Sequence, residues 1–177
     1  MLFYWIIGIV IVQRLIELLV ARRNEQWMKS QGAIEAGASH YRYMVAMHVC
    51  FFVSLIAEVF YFDLSPPPLW PVWLCIFLLA QVMRIWCLAS LGKYWNTKII
   101  VLPGANVVRR GPYKFIRHPN YVIVATELIV LPLLFNAYFT AILFTLLNIW
   151  MMTVRIPEEE EALKNETDYL DVFSMKS

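Results

Sequence analysis

The sequence predicts an all-α fold: a polytopic transmembrane helix bundle of about five spans, the last two forming a short helical hairpin, with a cytosolic C-terminal cofactor-binding region. Three observations carry this expectation. Hydrophobic residues make up 60% of the 177 residues and charged residues only 16%, against roughly 45–50% and about 25% in average globular proteins. Apolar runs close to the roughly 20 residues that a helix needs to cross a bilayer recur along the chain. Thirteen of the fifteen Lys and Arg residues fall between or after those runs. The composition excludes a disordered chain, a nucleic-acid module and an ordinary soluble enzyme.

The first run covers residues 2–21. It carries Gln13, Arg14 and Glu17 and has neither a basic leader nor a small-residue cleavage pattern, so it reads as a span and not as a signal peptide. The second and third runs cover 44–62 and 69–91. Between them Pro66-Pro67-Pro68 ends one helix and starts the next, and Trp70 and Trp73 fit an interfacial anchor. Residues 121–135 and 137–154 are shorter and read as a tilted or packed hairpin turning at Asn136. The basic residues sit in 22–43, in 92–120 and in the tail, whereas 63–68 and the Asn136 turn hold none. By the positive-inside rule the two long loops and the C-terminus are cytoplasmic and the N-terminus is outside. The chain thus reads as a single integral-membrane domain, 1–177, of the cell membrane, with three spans in 1–91 and a second part, 92–177, holding loop, hairpin and C-terminal helix.

Ionisable groups within spans are costly and each is a functional hypothesis. Arg14 and Glu17 are three apart, so they share a helix face and can pair. Counted at 1.5 Å per residue, Glu17, Arg84 and Glu127 lie roughly 6–11 Å inside the cytoplasmic boundary, with His48 and Gln81 in or near that layer. This convergence suggests a polar pocket opening to the cytosol; the competing reading is a set of ion pairs that hold the helices together. Glu58, near the outer end of its span, reads as a group reaching the interface. Cys50, Cys75 and Cys87 form no zinc pair and no CxxC and read as reduced core thiols. No His/Cys/Asp cluster has metal-ligand spacing, so no metal is expected.

The most informative stretch is Gly111-Pro112-Tyr113-Lys114-Phe115-Ile116-Arg117-His118-Pro119-Asn120-Tyr121. Its glycine and prolines fix a turn, and Pro119 suits a helix start because its missing N–H would be unpaired there. Arg117, His118 and Tyr121 are thereby held at a helix N-terminus, which favours anionic groups. A basic loop touching anionic lipid is the simpler alternative. The second stretch is Arg155-Ile156-Pro157-Glu158-Glu159-Glu160-Glu161. It reads either as an acidic first turn after a Pro-marked helix start or, if the helix continues through Pro157, as a helix placing Arg155 and Glu159 on one face.

Gly-Pro-Tyr-x-x-x-Arg-His-Pro-x-Tyr, a hydrophobic hairpin and then Arg-Ile-x-Glu-Glu-Glu resemble the isoprenylcysteine carboxyl methyltransferase family. The stretches Gln13–Leu18, Ala21–Asn24, Trp95–Thr97 and Leu102–Gly104 are similar to its small bacterial branch. The resemblance implies an integral-membrane enzyme with a methyltransferase core in 92–177, S-adenosylmethionine as cofactor, and a lipophilic small molecule or lipidated substrate entering from the bilayer. By position, Tyr113, Arg117, His118, Tyr121, Glu158 and Glu159 would line the cofactor site, with Arg155 near the acceptor. The chain departs from many relatives in carrying Ile123 where they have glycine, and in a shorter tail after Tyr169 without a basic, proline-containing finish.

The residues suit that chemistry. Arg117 or His118 matches the donor's carboxylate, and Glu158 or Glu159 its ammonium; Tyr113 and Tyr121 offer ring faces or hydroxyls to the sulfonium. A carboxylate acceptor is already a nucleophile, for Arg155 to hold. A hydroxyl acceptor gains from a base, for which Glu127 and His118 are the candidates. The function expected is an O-methyltransferase acting on a carboxylate or hydroxyl of an isoprenyl- or alkyl-bearing compound. The alternatives are an NADPH-dependent membrane reductase, with Arg109 and Arg110 on the 2′-phosphate, and a non-catalytic protein binding lipid or a partner.

Overall fold

The computed structural model describes residues 2–174. Its helices are α1 (Leu2–Ser30), α2 (Ala38–Tyr61), α3 (Trp70–Leu91), α4 (Pro119–Leu133), α5 (Tyr138–Glu166) and a short α6 (Tyr169–Ser174); two three-residue strands, β1 (Ile34–Ala36) and β2 (Ile99–Val101), accompany them. Four helices, α1, α2, α3 and α5, are long and apolar enough to cross a membrane, and α4 is shorter. The chain forms two compact units.

The first unit draws on residues 2–38, 91–108 and 157–174. On α1, Phe3, Ile7, Val10, Glu17, Ala21, Asn24 and Met28 are buried, a stripe at helical spacing, while Ile9, Val12, Leu15, Ile16 and Leu19 are exposed. A helix apolar on its outer face as well suits lipid. The helix runs on beyond residue 21, where the apolar run ends, because 22–30 contain no glycine or proline and mostly good helix formers. Lys29 Nζ donates to Glu25 Oε1 at 2.6 Å across one turn. Two carboxamides fasten the far segment: Asn24 Nδ2 donates to the carbonyls of Gly92 (3.1 Å) and Trp95 (2.7 Å), and Asn96 Nδ2 to that of Ala21 (3.1 Å).

The strands pair antiparallel with Ile34 opposite Val101, an element that the helical expectation lacked. Lys29 and Lys98 bridge Glu25 and Glu35 over this pair. The hydrogen bond from Lys29 is the main cause holding the Glu35 carboxyl below its ordinary range, and the bond to Glu25 holds the Lys98 ammonium above its own. A lowered folded-state value means that Glu35 stabilises the pairing above the ordinary carboxylate range and loses this as pH falls through the folded value. The protection of the Ile99–Val101 amides against exchange is therefore expected to fall in acid below about pH 4, and to do so less in Glu35→Gln; pH-independent protection would contradict this.

The second unit draws on 39–90 and 109–156. Its core holds Phe51, Leu55, Leu131, Leu134, Phe135 and Phe144, with Phe51 and Phe144 meeting edge to face at 5.5 Å. The turn between α4 and α5 closes at Asn136, as expected; this residue takes a left-handed conformation (φ 60), which asparagine tolerates. Glu58 does more than reach an interface. Its Oε1 accepts the N–H of Phe139 (3.0 Å), and its Oε2 accepts the N–H (2.8 Å) and hydroxyl (2.6 Å) of Thr140. It thus caps α5 from a different helix, satisfying amides that have no intrahelical partner. Glu58→Ala is expected to cost about 1–2 kcal/mol, at the upper end for a lost cap, read as a lower unfolding midpoint in detergent.

One further expectation is corrected, and one open alternative is decided. Cys50 and Cys75 are exposed on α2 and α3, and of the three thiols only Cys87 is in the core. Their runs are apolar all round, so sequence alone gives no inner face. Pro157 lies inside α5 and does not start a new helix.

Candidate functional site

One face of α3 organises the site. Phe77, Ala80, Arg84, Cys87 and Ser90 are its buried residues, spaced three or four apart, with half-buried Gln81 beside them. Arg84 donates from Nε to Glu127 Oε1 on α4 at 3.0 Å and from Nη2 to Glu127 Oε2. Gln81 Nε2 adds a bond to Glu127 Oε1 at 2.7 Å. The Arg84 and Glu127 side chains are only 4% and 10% exposed, so this pair is desolvated and each charge depends on the other. One turn on, Cys87 packs with Ala80, Ile123, Met83 and Tyr113 of the motif.

At the end of α3 the motif is pressed against the helix. Arg110 Nε donates to the Ser90 carbonyl at 2.7 Å. Gly111 has φ +57, and a Cβ there would stand 2.1 Å from Ser90 Oγ and 3.0 Å from Trp86 Nε1. Only glycine combines that left-handed backbone with so close an approach. Gly111–Lys114 then form a tight helical turn, and Pro119 starts α4 with His118 as its N-cap residue. The His118 side chain makes no capping bond, so the first-turn amides of α4 are not closed off by it.

His118 stacks on Tyr121, with ring centroids 5.5 Å apart and planes at 22°. The Tyr121 hydroxyl accepts a bond from Arg155 Nε at 2.9 Å, and the guanidinium carbon lies 5.7 Å from the Tyr121 ring centroid. Arg155 is 5% exposed. His118, Tyr121 and Arg155 therefore form one contiguous group, drawn from the motif and from α5. Arg117 is exposed beside it and Tyr113 is half-buried against α3. Glu158 and Glu159 are half-buried on α5, one turn beyond Arg155, and belong to the first unit.

Of the polar layer expected from the spans, Gln81, Arg84 and Glu127 come together. Glu17 is instead satisfied within α1, by Arg14 Nη1 at 2.5 Å and Gln13 Nε2 at 3.0 Å. His48 Nδ1 lies 2.8 Å from the Met44 carbonyl of its own helix. Ser90 and Trp86 were not singled out from sequence and Cys87 was read only as a core thiol, although the 84–87–90 spacing was the available signal. Among the described residues no group of His, Cys, Asp or Glu could hold a metal ion.

Membrane-length apolar helices, a hairpin of the shorter α4 with the 29-residue α5, longer than the short hairpin expected, and the Gly-Pro-Tyr…Arg-His-Pro-x-Tyr turn at its start define a helical integral-membrane protein with a polar site built on that turn. The model of the isoprenylcysteine carboxyl methyltransferase (ICMT) family matches residues 73–165, and the chain belongs to that family. It is 49% identical to the uncharacterized protein YpbQ of Bacillus subtilis (strain 168) over 163 residues, covering 92% of this chain and 97% of that one. It is 30% identical to an uncharacterized protein of Haemophilus influenzae over 153 residues, covering 86% and 89%. No solved structure matches it. Family membership makes this a membrane methyltransferase at the level of the family.

Proposed function

We propose that the protein is an S-adenosylmethionine-dependent O-methyltransferase that methylates a carboxylate or hydroxyl of an isoprenyl- or alkyl-bearing compound, with the motif face in the cytoplasm and the N-terminus outside. The observation that carries this reading is the continuous His118–Tyr121–Arg155 group at the start of α4. The residues present fit the cofactor. A helix N-terminus without a side-chain cap, flanked by Arg117 and His118, suits a carboxylate, and aromatic rings suit a sulfonium. Glu158 and Glu159 are the acidic residues that the family reading assigns to its ammonium group.

When bound, S-adenosylmethionine supplies a methyl group on a sulfonium, a leaving group that needs no protonation. The protein's own task is alignment, since in-line displacement requires reacting atoms roughly 3–3.5 Å apart. Arg155, fixed by Tyr121, would hold the acceptor oxygen, and a carboxylate there would need no base. With a hydroxyl acceptor, His118 takes the proton. Glu127 in this account has its carboxylate engaged by Arg84 and Gln81, and acts by fixing α3 against α4 beneath the motif.

The experiment is transfer of radiolabelled methyl from S-adenosylmethionine to organic-soluble material in membranes carrying the protein. Label is expected in the lipid extract, reduced about 10–100-fold in Arg155→Ala, in line with loss of a positioning contact. Alkali separates the acceptor groups, because a methyl ester is hydrolysed and an ether is not. No transfer by the wild type, with or without added prenyl and alkyl acids or phenols, would count against the reading.

A further inference from the structure

One polar group at the depth of the Arg84–Glu127 pair stands outside that network. Asn148 lies on the buried stripe of α5 together with Phe144, Met151 and Arg155. It is 3% exposed, and its Oδ1 has no hydrogen-bond partner among the described residues. Its depth follows from the Arg155–Tyr121 bond that ties α5 to α4. Glu127 is six residues from Tyr121 and Asn148 seven from Arg155 on the returning helix, so both lie roughly 9–11 Å from that contact.

A buried carbonyl oxygen without a donor costs about 1–3 kcal/mol. Polar residues in membrane helices are normally retained as interhelical glue, but that role needs a partner, and Glu127 is already occupied by Arg84 and Gln81. For packing alone a leucine would serve better. Asn148 and Arg155 are two turns apart and so share a face. Further along α5, Ala141 and Thr145 join Ile129 and Leu133 of α4 in lining an apolar groove of about 320 Å³. The groove is otherwise lined by the exposed Tyr138, Ile142 and Leu146 and begins about one turn from Asn148 without including it.

We propose that Asn148 is a specificity-determining residue of the acceptor site: its Oδ1 receives a hydrogen bond from a hydroxyl or N–H that the lipophilic acceptor carries about 10 Å from the methylated oxygen. The proposal rests on the reading that Arg155 holds that oxygen. It gives the acceptor a second polar group part-way along its chain. A site built around such a bond discriminates against the analogue that lacks it, because the protein group is then left unpaired.

The test uses purified protein in detergent, saturated with S-adenosylhomocysteine, and two probes: 10-hydroxyoctadecanoic acid, whose hydroxyl is about that distance from its carboxylate, and octadecanoic acid. The wild type is expected to bind the hydroxy acid about tenfold more tightly. Asn148→Leu should lose this preference while keeping its S-adenosylhomocysteine affinity, and its unfolding midpoint should be equal or higher, because a partnerless carboxamide has been removed. A purely structural role would instead lower the midpoint and leave the preference intact, and that result overturns the proposal. Equal binding of the two acids by the wild type, or binding of neither, also overturns it. Failure of the wild type to bind S-adenosylhomocysteine at all would strike the methyltransferase reading itself, and the proposal with it.

Discussion

Arg84→Leu is expected to destabilise the protein by about 3–5 kcal/mol, the cost of leaving one charge of a buried pair uncompensated. Glu127 would lose the guanidinium bonds from Arg84, at a depth where water does not replace them. The double substitution Arg84→Leu/Glu127→Leu is expected to recover most of the loss, since a buried ion pair replaced by apolar residues of similar volume is often neutral. The measurement is thermal or denaturant unfolding in detergent for the two single variants and the double, with the coupling taken from the cycle. A double variant as unstable as Arg84→Leu would show that the pair does not act as a unit.

Gly111→Val is the second large effect, and it acts on the site more than on the fold. A side chain at φ +57 costs about 1–2 kcal/mol by itself. The added Cβ would also meet Ser90 Oγ at 2.1 Å and Ser90 Cβ at 3.1 Å, overpacking that typically costs about 1–3 kcal/mol more. Rotation of the hydroxyl relieves the first contact but not the second, nor the backbone strain. The turn must therefore move off α3, and with it Tyr113, Arg117 and His118. S-adenosylhomocysteine affinity is expected to fall by more than tenfold, with a smaller drop in unfolding midpoint. Ser90→Gly added to Gly111→Ala should restore part of the affinity, because it removes the collision and leaves the strain. Full affinity in Gly111→Val would contradict the packing of the motif on α3.

The sequence made some of these features legible and hid others for identifiable reasons. Helices were readable because apolar runs of sufficient length have few alternatives in a bilayer, and the turn at Asn136 and the start at Pro119 follow from local chemistry. The Arg14–Glu17 pair was readable because its partners are three apart. Arg84 and Glu127 were each visible as costly groups, but their pairing spans 43 positions, and no local rule joins them. The same holds for Glu58, whose cap on α5 spans 81 and 82 positions. Pro157 left two readings open, because proline often marks a helix start; α5 continues through it, the alternative that puts Arg155 and Glu159 on one face. The β1–β2 pair was missed because three-residue strands leave too short a pattern to separate from the surrounding apolar chain. The motif residues draw attention in the sequence by their spacing, whereas the face of α3 against which they pack shows itself only once the helix has an inside.

The central claim is that the start of α4 is a cofactor site for S-adenosylmethionine. Its most direct test is calorimetric binding of S-adenosylhomocysteine and of NADPH to the purified protein in detergent, for wild type and His118→Ala. Roughly micromolar binding of S-adenosylhomocysteine is expected, about −8 kcal/mol, weakened at least tenfold in His118→Ala, with no saturable binding of NADPH. Binding of NADPH without S-adenosylhomocysteine, or of neither, would contradict it.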